Sequence, residues 1–304
     1  MKGKKWTFFS FASSIWPPKV KKCRQNTLDG YISAIRCHVL PKWGERELTD
    51  IRRKEVQEWV DSIATAGAAT KALKMLQQVF RWAIKTFELE IFDPTQGVEL
   101  PARPIYRREV MTAKEIAYMP REAVGKPWEA NIILAVALGL RPSEALGVDW
   151  SDIDWRSGWV HIQRGCHTLQ SGETVEYPCK TRLSDRYLKL PRWALVRLRQ
   201  IRGQRRRGRV RGNLTPRQVY TQYKRFLKSI GLGRCSIEGL RHSWATLAIA
   251  SGAAIADVSV AMGHTTTRMV IEHYMMSTRA VSKRATDAAG KAIEEGLEAY
   301  AMAA

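Results

Sequence analysis

Apolar residues recur along this chain mostly at helical spacing, in two blocks separated by a stretch without periodicity. In residues 26–39, Leu28, Tyr31, Ile32, Ile35 and Val39 fall three or four positions apart, the spacing that lines one face of an α-helix. Ile51, Val56, Trp59, Val60 and Ile63 repeat the pattern; Thr49 or Asp50 is placed to cap a helix running to about Thr65. The most strongly patterned segment runs from about Ala68 to Phe87 and puts Leu73, Met75, Leu76, Val79, Phe80, Trp82 and Ala83 on its apolar side. A shorter run at 6–16 is expected to be a helix stopped by Pro17 and Pro18, and Pro41 with Gly44 should break the chain after the next. The first third of the chain therefore reads as an all-α bundle of about four helices.

Residues 93–107 (DPTQGVELPARPIYR) hold three prolines and little periodicity, the composition of an extended linker. Beyond it, Thr112 is placed to cap AKEIAYM, and a helix is expected around Trp128–Leu140. Three short strand-like runs follow, Gly158–Arg164, Thr174–Lys180 and Tyr187–Leu190, and the first two are expected to form a hairpin across LQSGE. Helices return after Pro191. The chain is thus predicted to be mainly α with a small antiparallel β-sheet. Its expected divisions are a helical domain at 1–92, a linker at 93–107, a second domain at 108–280 and a C-terminal helix at 281–304, where Ala285, Ala288, Ala289, Ile293 and Leu297 keep helical spacing. A length of 304 residues suits two domains.

Charge changes the picture from fold to partner. The 50 basic and 29 acidic side chains leave a formal charge of +21, which points to a polyanion. Residues 1–104 carry net +7 and the remainder net +14, so both blocks could touch the same polyanion. The densest run, Arg202–Gly212, places six arginines (Arg202, Arg205, Arg206, Arg207, Arg209, Arg211) in eleven positions. It reads either as a solvated, mobile loop or as a phosphate-contacting loop whose affinity would be strongly salt-dependent, and the two readings are compatible. Five scattered cysteines, with no CxxC pair, read as reduced thiols of a cytosolic protein rather than metal ligands. The N-terminus lacks the long apolar region and cleavage site of a secretory signal, and no apolar run reaches about 18 residues, so neither export nor a membrane span is expected.

Several spaced segments carry phosphate chemistry. In GLRPSEALGVDW, Arg141 precedes Pro142, which drives Arg141 out of the α region and opens a helix beside its guanidinium, a natural phosphate cradle. In EGLRHSWAT, Arg241 and His242 open a second such helix. Two arginines can fork the non-bridging oxygens of one phosphate and stay charged at any working pH. His264 follows Gly263, and Tyr274 lies ten residues later. A phenol with an unperturbed pKa near ~10 attacks phosphorus only with nearby positive charge and a proton acceptor. In YPCKTRLSDRYLKLP, Lys180 ends a strand run and is followed by Thr181, Ser184 and Arg186; an ammonium on a flexible stem suits a proton donor. Taken singly, each has an ordinary structural reading: surface arginine, strand-end lysine, capping histidine, packed tyrosine.

Together and in this order, the segments resemble the active site of the tyrosine recombinase (phage integrase) family. GLRPSEALGVDW is similar to that family's GLR-x-S-E-L-x-x-L-x-W-x-D box, and Lys180-Thr181 to its β-hairpin lysine. The resemblance implies a SAM-like helical core-binding domain followed by a tyrosine-recombinase catalytic domain. It implies catalytic roles for Arg141, Lys180, Arg241, His264 and Tyr274, with Tyr274 the nucleophile and Glu144 and His242 in support. One position departs: the family usually has histidine three residues before the second arginine (HxLRH), and here Glu238 stands there. A carboxylate could take the tyrosine proton and return it.

The implied reaction cleaves and rejoins DNA strands through a 3′-phosphotyrosyl intermediate and a Holliday junction, with no metal and no cofactor. Implied partners are double-stranded DNA, three further copies in a homo-tetramer and an accessory DNA-bending or excision factor, with a cytoplasmic, nucleoid-associated location. The helix at 281–304 would dock on a neighbouring protomer or pack on its own. No room is expected before Trp6 for an arm-binding domain. Two other readings are a type IB topoisomerase-like enzyme and a catalytically silent DNA-binding protein.

Overall fold

The computed structural model describes residues 6–20, 23–102, 109–264, 266–267, 287, 290 and 293, with the backbone alone for 15–20. The chain divides into two compact units, Met1–Tyr106 and Arg107–Ala304. Among the described residues it is mainly helical with two small antiparallel sheets, and no helix is long and apolar enough to cross a membrane.

The first unit is helical: α1 (Phe8–Val20), α2 (Gln25–Ala34), a π-helical turn (Ile35–Val39) leading into α3 (Leu40–Trp43), α4 (Arg53–Ser62) and α5 (Ala66–Lys85). Its core joins Phe8, Phe11, Trp43, Ile51, Leu76 and Phe80, and Trp43 meets Trp59 edge-on with ring centroids 5.6 Å apart. All seven apolar residues predicted for the strongest helix are buried on α5. The prolines behave differently from expectation. Helix α1 runs through Pro17 and Pro18, and the wider π turn ends two residues before Pro41, which falls in the first turn of α3, where its missing amide donor is tolerated, so the helix continues to Trp43. Helix α4 starts later than Thr49 or Asp50, which lie in a 3-10 turn (Leu48–Asp50). The Glu55 carboxylate accepts from the Arg52 amide (3.1 Å) and fixes the start there.

The first helix of the second unit is capped, as predicted, by Thr112. Its hydroxyl accepts from the Glu115 amide (3.2 Å) while the Glu115 carboxylate accepts from the Thr112 amide (2.8 Å), opening α6 (Ala113–Glu122). Helix α7 (Glu129–Leu138) is apolar nearly all round because it serves two cores. Ile132, Ala135 and Val136 face Met119, Tyr223 and Phe226; Ile133, Leu134 and Leu138 face Trp150, Val160 and Ile162. A short helix, α8 (Pro142–Gly147), follows.

Strand pairing differs from the sequence expectation. β1 (Trp159–Ile162) pairs with β4 (Arg186–Lys189), while β2 (Arg164–Thr168) pairs with β3 (Thr174–Pro178), Thr168 opposite Thr174. The hairpin across Leu169–Glu173 thus uses a strand beginning where the predicted one ended. Gln163 separates β1 from β2 and splits one expected run into two strands with different partners. Helices α9 (Arg192–Arg202), α10 (Pro216–Ser229), α11 (Ile237–Ala250) and α12 (Ile255–Met262) complete the described unit.

Candidate active site

One buried carboxylate organises the site. Glu144, in the first turn of α8, has a side chain only 5% exposed and faces three guanidinium groups. Arg141 Nη1 donates to it at 2.6 Å, Arg186 Nη2 at 3.0 Å, and Arg241 Nη1 lies 3.8 Å away. Burial pushes the Glu144 carboxyl up, but Arg186, Arg141 and Arg241 together outweigh it and hold the group below the usual carboxylate range. The Arg141 amide also donates to Glu144 (3.0 Å), so the residue before Pro142 is fixed by its backbone and its side chain.

Two glycine turns supply the remaining contacts. Gly139 ends α7 at φ +59°, and its carbonyl accepts from Arg241 Nη1 at 2.9 Å. A Cβ there would stand 2.6 Å from the Trp244 ring, so glycine is required by both conformation and space. Gly263 ends α12 at φ +62°, and its carbonyl accepts from Arg141 Nη2 at 3.1 Å. Arg241 also donates to the Met262 carbonyl, and its Nη2 lies 3.1 Å from His264 Nε2. A guanidinium has no acceptor, so in that hydrogen bond Nε2 accepts and the ring proton sits on Nδ1.

These groups open onto a cleft of about 770 Å³, lined by Arg141, Arg241, His264, Glu238 and His242 among others. Five residues predicted from separate segments thus share one cavity, with Glu144 beneath it. Glu238 is exposed in the first turn of α11. The lining also includes His167 on β2 and Arg217 and Tyr220 on α10, which sequence reasoning did not single out. The amphipathic pattern of α10 was the signal for Arg217 and Tyr220, and it carries no recognisable motif; the five residues of β2 gave none for His167. Arg186, equally overlooked as a site residue, sits six positions after Lys180 and is buried under the cleft. Tyr223 offers a second phenol nearby, but burial pushes its pKa up and its hydroxyl donates to Met119 Sδ (3.6 Å), a packing role.

Other candidates lie elsewhere. Lys180 is exposed just beyond β3 and does not line the cleft. Tyr274 lies outside the described residues, as does most of 281–304. The arginine run is largely engaged with protein groups. Arg209 pairs with Glu176 (2.6 and 2.5 Å) and Asp149 (3.0 Å), and Arg211 donates to the Leu214 carbonyl (2.5 Å). Arg202 stacks 4.3 Å over Trp155 and Arg205 lies 5.5 Å over Trp150. The expectation of a freely solvated loop therefore fails for Arg202, Arg209 and Arg211, because Asp149, Glu176 and Trp155, distant in sequence, fold against them, while Arg205 stays exposed. Arg206 and Arg207 are exposed.

Comparison with known proteins agrees with this arrangement. The phage integrase family matches residues 109–280, and the N-terminal SAM-like domain of phage integrases matches residues 7–64. A tyrosine recombinase XerC-like protein of Caldanaerobacter subterraneus is 22% identical over 280 residues, covering 80% of this chain and 71% of that protein. The putative prophage phiRv2 integrase of Mycobacterium tuberculosis is 21% identical over 261 residues, covering 82% and 69%. In fold, the Tn1549 transposon integrase in complex with transposon right end DNA superposes with a TM-score of 0.76 at 14% identity, covering 93% of this chain and 99% of that one. A lambda integrase tetramer bound to a Holliday junction gives 0.65 at 20% identity, covering 92% and 78%. With more than half of its length matched by the family, and with the arginines of two separate segments meeting on one carboxylate, the chain belongs to the phage integrase family of tyrosine recombinases.

Proposed function

We propose that this protein is a site-specific DNA recombinase that cleaves and rejoins strands through a tyrosyl intermediate at the Glu144 cleft. The observation that carries this reading is the convergence of Arg141, Arg241 and His264 on one cavity, held by Glu144 and by the carbonyls of two left-handed glycine turns. Two fixed cations and an imidazole beside them match what a phosphodiester requires as negative charge builds on its non-bridging oxygens.

In this reading the Tyr274 phenol oxygen attacks phosphorus, its proton passing to Glu238, and the bond to the 5′-oxygen breaks. Lys180 donates a proton to that oxygen, giving a free 5′-hydroxyl; this requires DNA to draw the segment after β3 toward the cleft. The 5′-hydroxyl of a partner strand then attacks the phosphotyrosine and releases the phenol. The phosphodiester energy is conserved in the intermediate, so the exchange needs no nucleotide. The first unit serves as the core-binding domain, the second as the catalytic domain, and residues 281–304 dock between protomers of a tetramer on duplex DNA. The tetramer on a Holliday junction seen for lambda integrase supports that assembly. An accessory DNA-bending or excision factor and a cytoplasmic, nucleoid-associated location complete the proposal.

The test is covalent capture. Nicked duplexes with a randomised core, incubated with the protein and recovered as SDS-resistant adducts, should yield a defined sequence. Tyr274→Phe should yield none. Failure of the unsubstituted protein to capture any duplex would overturn the reading. Relaxation of supercoiled DNA by monomers, without joining of two sites, would replace it with a topoisomerase.

A further inference from the structure

Among the described residues, Glu144 holds three guanidinium groups, and the third differs in kind from the other two. Arg141 and Arg241 line the cleft; Arg186 does not. It is 8% exposed at the start of β4, and every nitrogen of its fork is engaged. Nε donates to the Ala261 carbonyl (2.7 Å), Nη1 to the Ser184 carbonyl (2.9 Å) and Glu144 Oε1 (3.3 Å), and Nη2 to Glu144 Oε2 (3.0 Å). Arg186 thus grips both oxygens of Glu144 without lining the cleft, and the same side chain ties down the last turn of α12, which leads into Gly263 and His264.

This geometry answers a problem the site poses. A phosphate entering the cleft competes with Glu144 for Arg141 and Arg241. Were those two its entire support, the buried carboxylate would lose its counter-ions as substrate bound, at a large cost in uncompensated charge. A bidentate pair to a third arginine that substrate cannot reach leaves Glu144 charged and fixed while the other two turn to the phosphate.

We propose that Arg186 is a positioning residue for the strand-transfer reaction, acting through Glu144 and the α12 turn so that Arg141 and Arg241 can engage the phosphate. The proposal rests on the recombinase reading above. The charged and titratable groups facing Glu144 are Arg141 at the start of its own helix, Arg186 on β4, Arg241 on α11 and Cys179 after β3, with His264 behind Arg241. The arginines stay charged throughout, and burial pushes the Cys179 thiol up, out of the acidic and neutral range. Glu144 is the titratable group of this cluster that Arg186 touches directly, at 3.0 and 3.3 Å. Removing Arg186 raises its pKa, so the damage grows as pH falls.

The experiment measures the single-turnover rate of adduct formation on the captured duplex between pH 5.5 and 8.5, for the unsubstituted protein, Arg186→Gln and Arg186→Lys. Gel-shift affinity and thermal unfolding are followed alongside. Arg186→Gln should lose about tenfold at pH 8.5 and about a hundredfold at pH 5.5, the scale expected for a misplaced site. DNA affinity should hold within about twofold, because Arg186 is out of substrate reach. Arg186→Lys, which keeps the charge but not the fork, should fall between, with the smaller acid-side loss. Profiles that are parallel at every pH, or unaltered rates, would overturn the proposal. If Arg186→Gln does not fold, the Lys variant decides alone: a loss steeper on the acid side supports the proposal, and a uniform one overturns it. No adduct from the unsubstituted protein would overturn the underlying recombinase reading instead, so the two failures are distinct.

Discussion

The arginine run at 202–212 and the Glu144 cluster both bring arginines together, and they do so for different ends. The run is dense in sequence, yet Arg209 and Arg211 are held by Glu176, Asp149 and a backbone carbonyl, while Arg202 and Arg205 lie on tryptophan faces. The cluster is sparse in sequence, its arginines spread from 141 to 241, yet it gathers three guanidinium groups on one carboxylate beside a cleft. Charge density along a chain is therefore a poor guide to where charge is presented. What decides is which carboxylates the fold brings alongside. In the run they neutralise and anchor; in the cluster a single Glu144 leaves a surplus of positive charge at the cavity.

The largest test of this contrast is Glu144→Ala. It leaves three guanidinium groups facing one another without a counter-ion, and loss of one partner of a buried pair costs about 3–5 kcal/mol. Denaturant unfolding should show that loss, and adduct formation should vanish. Next is Gly139→Ala, which forces a left-handed alanine and drives its Cβ into the Trp244 ring; about 2 kcal/mol is expected, with reduced cleavage because Arg241 loses its carbonyl anchor. Arg209→Ala should cost about 1–2 kcal/mol, chiefly by removing the cation that bridges Glu176 and Asp149, which then keep only Arg211 (3.9 Å) and the Ser151 and Gly208 donors. Arg206→Ala and Arg207→Ala should change stability by less than about 0.5 kcal/mol and instead lower DNA affinity, each reducing the slope of log affinity against log salt by about 1. The contrast would break if Arg209→Ala altered the salt slope with stability intact.

The smallest effect is a pH dependence. Burial pushes Asp149 up, but hydrogen bonds from Ser151 and the charge of Arg209 outweigh it and hold its carboxyl below its ordinary value. Its contribution is present above the unfolded value near ~4 and is lost as pH falls through the lower folded value. The stability gap between the unsubstituted protein and Asp149→Asn should therefore be widest near neutrality and narrow on acidification, as measured by denaturant unfolding at both conditions.

Much of the fold was legible wherever a helix buries one face: α5 lay where its apolar stripe placed it, and Thr112 capped α6. Strand pairing was not, because the choice between β3 and β4 as partner of β1 depends on contacts far apart in the chain, with Gln163 the sole local sign of a break. Prolines misled for a related reason. The sequence shows a missing donor at Pro41 but not that it falls in the first turn of α3, where the loss is tolerated. Of the site, Arg141, Glu144, Arg241 and His264 were readable from spaced motifs. Arg186 was not, since a buried arginine and an exposed one look alike until Glu144 and the Ala261 carbonyl are placed beside it.

In the proposed reaction the Glu144 cleft brings a phosphodiester to Tyr274. The most direct measurement is peptide mapping of the captured adduct by mass spectrometry. A nucleotide phosphate on Tyr274, lost in Tyr274→Phe and strongly reduced in Arg241→Ala, is the expected result. A phosphate on Tyr220, which also lines the cleft, or an adduct undiminished in Tyr274→Phe, would contradict it.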